Sequence, residues 1–127
     1  MEKLLITTLT PTKEIEAFQI HPTQMPFLKN IQKGVFDFVE IRNTESSMLN
    51  HKNLSYIQRL LKPNSTCEIY IHQKITVIQD LEAQEIESNA RLAKFSTIES
   101  SRYENYVMRN GVDIKESTIR MTLTTSG

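Results

Sequence analysis

Leu60-Leu61-Lys62-Pro63-Asn64-Ser65-Thr66-Cys67-Glu68-Ile69-Tyr70-Ile71-His72 is the stretch that decides the fold. Its opening closes a helical pattern. Leu54, Ile57 and Leu61, with Leu60 beside them, repeat at helical spacing in a segment running from Asn43. The pattern stops at Lys62-Pro63, because a residue before proline is pushed out of the helical region. Pro63-Asn64-Ser65 reads as a turn. From Thr66 the period changes to two: Cys67, Ile69 and Ile71 fall on one face, Glu68, Tyr70 and His72 on the other, which predicts a strand. Leu54, Ile57, Leu61, Cys67, Ile69 and Ile71 are therefore expected to share one core.

Upstream, Leu4 to Leu9 is an apolar and β-branched run closed by Thr10-Pro11-Thr12, a buried first strand ending in a turn. Glu14 to Ile20 reads as a strand, although Ile15 and Phe18 also suit one helical turn. Phe27, Leu28 and Ile31 form a short helix between Pro22, Pro26 and the stop at Gly34. Phe36 to Ile41 is rich in aromatic and branched residues and reads as a strand. Downstream, Asp80 to Ala93 is a helix, with Asp80, Glu82, Glu85 and Glu87 expected near its positive N-terminal end. Phe95 leads into strand at Thr97-Ile98-Glu99 and at Tyr103 to Met108. Asn110-Gly111 is a hairpin turn, and Ile119, Met121 and Leu123 alternate along a last strand.

Strands alternating with helices and closing on a strand pair predict a small α/β open sheet. It is mostly parallel, with an antiparallel C-terminal edge strand or hairpin and helices on the faces. The turn after the first strand is short for a parallel crossover, which needs about a dozen residues. At 127 residues the chain is one domain, 1–127. Its fifteen basic and fifteen acidic residues cancel, which argues against a nucleic-acid or anionic-membrane partner. No run approaches a membrane span of about 18 residues, and the N-terminus shows no signal-peptide pattern. The single cysteine excludes an internal disulfide and fits a cytoplasmic setting.

A nucleotide cradle needs glycine after the first strand, where a backbone without Cβ lets a phosphate or adenosyl group approach. The only glycines are Gly34, Gly111 and Gly127, so no cofactor-binding residue is expected. His21, His51 and His72 are dispersed and Cys67 stands alone, so no metal site is expected. Cys67 and His72 differ by an odd number and face opposite sides of one strand, which excludes a Cys–His nucleophile there. Cys67 reads as a small buried hydrophobe. No serine sits in a nucleophile elbow, and no catalytic residue is assigned. Tyr103 and Tyr106 read first as sheet packing. Together with Glu104 and Arg109 they are also the candidate protein-interaction residues, since tyrosine and arginine dominate interface hot spots.

Phe36 to Val39, then Leu60 to Ile71, then Leu92-Ala93-Lys94-Phe95-Ser96-Thr97-Ile98-Glu99 resemble the second half of the S-adenosylmethionine (SAM) methyltransferase fold. The matching pieces there are the fourth strand, a helix–LKPGG–fifth strand unit and an AGF entry to the sixth strand. Asn64-Ser65 stands where two glycines are usual, and Lys94 where one is. A small domain of this kind without the glycine loop resembles the N-terminal domain of the anamorsin family, cytosolic iron–sulfur cluster assembly proteins that take electrons from a diflavin reductase. The resemblance implies a non-catalytic interaction or scaffold domain, not an enzyme, with a diflavin reductase as partner. The family's cluster ligands are cysteines in a later region with no counterpart here, so no cofactor is expected in this chain, which would then be a fragment or a domain without the redox part. The alternatives are an active small SAM-dependent methyltransferase and an unrelated α/β adaptor.

Overall fold

The computed structural model describes the backbone of residues 2–9, 18–73 and 76–127, and their side chains except at positions 73, 76–79, 107 and 109. The turn expected at Thr10-Pro11-Thr12 and the strand-or-helix reading of residues 14–17 lie outside these. In chain order come β1 (Lys3–Thr7), β2 (Phe18–Ile20), a 3-10 helix (Pro22–Asn30), β3 (Phe36–Arg42), a 3-10 turn (Ser46–Met48) and α1 (His51–Leu60). β4 (Leu61–Gln73), α2 (Thr76–Leu92), β5 (Thr97–Arg109) and β6 (Val112–Thr124) follow. The strands form one six-stranded sheet in the order β2-β1-β3-β4-β6-β5. β2, β1, β3 and β4 run parallel, and β6 pairs antiparallel with both β4 and β5. This is the expected α/β sheet with its antiparallel C-terminal pair.

Apolar residues meet in rows across the strands. Phe18, Leu4, Val39, Cys67, Leu123 and Ile98 form one row, and Ile20, Ile6, Ile41, Ile69 and Met121 the next. Onto this face pack Met25 and Leu28 of the first 3-10 helix, Leu54, Ile57 and Leu60 of α1, and Ile86 and Ala90 of α2. The described helices thus gather on one side of the sheet. All six residues expected to share a core lie in this cluster.

Three local readings need correction. The helix expected from Asn43 is only His51–Leu60, capped by the Asn50 side chain, which accepts from the Asn53 amide at 2.9 Å. Leu61 already belongs to β4. The turn at Pro63-Asn64-Ser65 is a bulge within that strand: pairing with β3 jumps from Leu61 to Thr66, and Asn64 takes φ 60°. Thr125 clamps the bulge, its hydroxyl donating to the Lys62 carbonyl at 2.8 Å and accepting from the Ser65 amide at 3.0 Å. The next helix begins at Thr76, so its acidic residues lie beyond the first turn and the dipole explanation for them fails. The β-branched run Thr76-Val77-Ile78 hides this start, because such residues favour strands.

Truncating Ile69, which is 1% exposed, should leave a cavity between β4 and α1. Ile69→Ala is expected to lower stability by about 2–5 kcal/mol in urea denaturation. A loss under about 0.5 kcal/mol, the range of surface changes, would mean that β4 is not internal.

Candidate functional site

Ligands of open α/β sheets bind beyond the carboxyl ends of the strands, near the point where strand order reverses. Here the order reverses between β1 and β3. β3 ends at Arg42, whereas β4 runs on to Gln73 with β6 beside it, pairing through Ile71–Ile119, His72–Thr118 and Gln73–Ser117. This difference in length leaves a cleft of about 510 Å³. It is lined by the loop from Asn43 to Ser47, by Tyr70, Ile71 and His72 of β4, and by Glu82 of α2.

The loop is held in place by polar contacts. Asn43 turns the chain out of β3 at φ 49°, a left-handed conformation that asparagine tolerates. Its carbonyl accepts from the Thr8 hydroxyl at 2.9 Å, which ties the ends of β1 and β3 together. The Thr44 hydroxyl donates to the Arg42 carbonyl at 3.0 Å. Further along, Asn53 and Asn89 donate to the Met48 and Leu49 carbonyls at 2.8 and 3.2 Å, fixing the loop to α1 and α2.

Beside the cleft, on the sheet face away from the helices, charged and aromatic groups alternate. Lys3 reaches Glu40 at 3.5 Å, Glu40 reaches Arg42 at 2.8 Å, and the Arg42 guanidinium lies 3.7 Å over the Tyr70 ring. The Tyr70 hydroxyl donates to Glu68 at 2.6 Å. Desolvation, together with this carboxylate acceptor, pushes the Tyr70 phenol up to about 12, so it stays protonated. His72 Nδ1 lies 3.1 Å from the Thr118 hydroxyl. Desolvation and the Arg42 charge hold His72 below its ordinary value near 6.5.

The interaction residues assigned from sequence lie elsewhere, on the β5–β6 hairpin. Tyr106 is 73% and Tyr103 39% exposed, so sheet packing does not hold Tyr106. Glu104 pairs with Lys115 of β6 at 2.8 Å. The Arg109 side chain is outside the described ones. Cys67 is fully buried in the core, where desolvation drives its thiol far upward. His21 caps the first 3-10 helix and His51 opens α1, away from His72. Among the described residues no three His, Cys, Asp or Glu side chains stand close enough to share a metal ion, and no helix is long and apolar enough to cross a membrane. Sequence reading missed the cleft loop, because Asn43 to Ser47 was absorbed into the helical segment. A polar run directly after a strand was the available signal.

No protein-family model matches the chain, and no curated protein matches it. Solved structures do. A SAM-dependent methyltransferase from Thermotoga maritima superposes with a TM-score of 0.60 at 9% identity, over 98% of this chain and 82% of that one. One from Methanosarcina mazei gives 0.60 at 10% identity, over 99% and 93%. The precorrin-6y C5,15-methyltransferase of Geobacter metallireducens gives 0.57 at 14% identity, over 87% and 54%. The chain has a methyltransferase-like fold. The expectation that the chain is not an enzyme is corrected by these neighbours, which are named as methyltransferases; a missing glycine after β1 does not by itself exclude that class.

The lowered pKa of His72 fixes the sign of a pH effect. The folded chain releases a proton that the unfolded chain keeps, so this stability is full above pH 6.5 and is lost as pH falls below that through the lower folded value. His72→Gln should flatten the acid limb of a urea-midpoint profile. An unchanged slope would show that the imidazole is not desolvated.

Proposed function

We propose that the chain is the core of a SAM-dependent methyltransferase, with the cleft between the ends of β3 and β4 as its small-molecule site. The observation that carries this reading is the position of the cleft: beyond the carboxyl ends of parallel strands, beside the reversal of strand order, in a methyltransferase-like fold. Its volume falls within the roughly 300–1,000 Å³ of ligand pockets. SAM carries two cationic groups and ribose hydroxyls, and when bound it supplies an activated methyl group. Glu45 and Glu82 provide carboxylates for the former, and Thr44, Ser46 and Ser47 hydroxyls for the latter. The glycine argument bears on approach over β1, whereas these groups stand over β3 and β4. His72, neutral at pH 7 and at the cleft wall, is the group suited to accept a proton from an acceptor substrate.

Calorimetry and thermal unfolding with SAM test this. At a hundredfold its dissociation constant the ligand should add ~2.7 kcal/mol of stability, and Ser46→Trp, which fills the cleft, should abolish the gain. No heat and no stabilisation at millimolar SAM would overturn the reading.

A second reading, kinship with the anamorsin N-terminal domain, is favoured by the sequence Thr10-Pro11-Thr12-Lys13 standing where a glycine loop is usual, and by the absence of any glycine before Gly34. It predicts a complex with a diflavin reductase, measurable by pull-down from purified components. Failure to form that complex would remove this reading and leave the first untouched.

A further inference from the structure

β5 is an edge strand of unusual openness. It pairs with β6 residue for residue from Thr97 to Arg109, and among the described residues no strand lies on its other side. Beyond Ser117 no described residue of β4 pairs with β6, so among the described residues the end of the hairpin is two strands only. Natural sheets blunt such edges with proline, bulges or short strands, since a long free edge is a template for another strand. β5 has thirteen residues, no proline and an unbroken register. Every side chain from Glu99 to Tyr106 is exposed, and Met108 is 70% exposed.

The backbone polarity of the free edge follows from the turn. Asn110 and Gly111, at φ 52° and 76°, form a two-residue loop closed by Arg109 and Val112. The closing pair of such a loop exchanges hydrogen bonds, and bonded and non-bonded pairs then alternate down the ladder. Odd-numbered residues of β5 therefore turn their amides and carbonyls to β6. Even-numbered ones, from Ile98 to Met108, turn theirs outward.

We infer that the free edge of β5 pairs antiparallel with β5 of a second copy of this chain, about a two-fold axis at Tyr103. An edge pairing with itself must place a residue opposite its own copy, since facing residues share a face of the sheet. Centring on Arg102 or Glu104 sets like charges face to face. Centring on Tyr103 sets Arg102 opposite Glu104 of the second copy, and the reverse, in hydrogen-bonded rows that use the outward groups. Arg102 already pairs with Asp80, and Glu104 with Lys115. The pairing joins these into a chain of alternating sign, Asp80–Arg102–Glu104–Lys115, repeated by symmetry. The same register lays Tyr103 against its copy on the open face, and Tyr106 and Met108 beside Ser100 and Ile98 of the second copy. Opposite charges and aromatic pairs facing across strands are the favourable cross-strand contacts.

Cysteine substitutions in the whole chain read this register directly. Cys67 is buried and does not compete. The two copies of residue 103 would form a non-bonded pair with Cα atoms ~4.5 Å apart, within disulfide reach. Tyr103→Cys should therefore give a linked dimer under mild oxidation. Ser101→Cys or Asn105→Cys alone should not, since each lies ~13 Å from its own copy, but mixing those two variants should restore linkage. In sedimentation the unmodified chain should reach twice 14.7 kDa with rising concentration. Glu104→Pro removes an outward amide and spares the β6 ladder, so it should weaken association at least ~10-fold. A monomer at all concentrations, linkage indifferent to cysteine position, a dimer unaffected by Glu104→Pro, or a β5 edge that takes up only a different protein would each overturn the inference.

Discussion

The alternation of β4 sets the order of the whole sheet. It lies between the parallel half and the antiparallel half, pairing with β3 on one side and β6 on the other. Cys67, Ile69 and Ile71 must all face the helices, and each is at most 8% exposed. A slip of one residue would carry Glu68, Tyr70 and His72 into the core instead. Burying a large aliphatic side chain is worth about 1.5–3 kcal/mol, whereas burying a carboxylate without a partner costs more than that. Once β4 is held, a one-residue slip of Val39 and Ile41 on one side or of Met121 and Leu123 on the other would break the apolar rows. The helices then have only one face to cover.

The opposite face is handled differently. Parallel sheets are ordinarily covered on both sides, yet the described helices lie on one side here. The other carries Lys3, Glu40, Arg42, Tyr70 and Glu68 as a run of ion pairs, a stacked guanidinium and a hydrogen-bonded phenol. Surface pairs contribute about 0–1 kcal/mol each, and in these Glu40 is mostly covered, so their effect is on specificity more than on stability. The Lys3 ammonium also lies over the half-buried Phe38 ring of the same face. Leu5 lies on this face too, buried at 5% exposure but outside the main core cluster.

The parts legible in sequence are those in which a single period decides the outcome. β4 from Thr66 and β6 from Thr118 alternate, and the stripe of Leu54, Ile57 and Leu60 can only be a helix face. The errors fall where local propensity and tertiary structure disagree. Pro63 and Asn64 carry turn chemistry, yet the sheet absorbs them as a bulge because Thr125 satisfies the groups it exposes. Thr76 to Ile78 favour strands, yet they begin a helix. The hairpin turn was read correctly from Asn110-Gly111, but its reach was not, because periodicity does not say where β6 loses β4 as a neighbour. The exposure of Tyr106 follows from that reach.

No motif marks the cleft, for a deeper reason. Motif reasoning looks for residues whose chemistry demands a spacing, such as a glycine where a phosphate must approach. This cleft arises from a mismatch of lengths, since β3 ends at Arg42 and β4 continues to Gln73. No residue type encodes that difference; it exists only when the two strands are in register. The residues that hold its wall in place, Thr8, Thr44, Asn53 and Asn89, act by donating to backbone carbonyls and look like ordinary loop and helix residues in isolation. A fold can thus carry a cleft beyond the carboxyl ends of its strands, where open α/β sheets bind their ligands, while lacking the sequence signature by which such sites are sought.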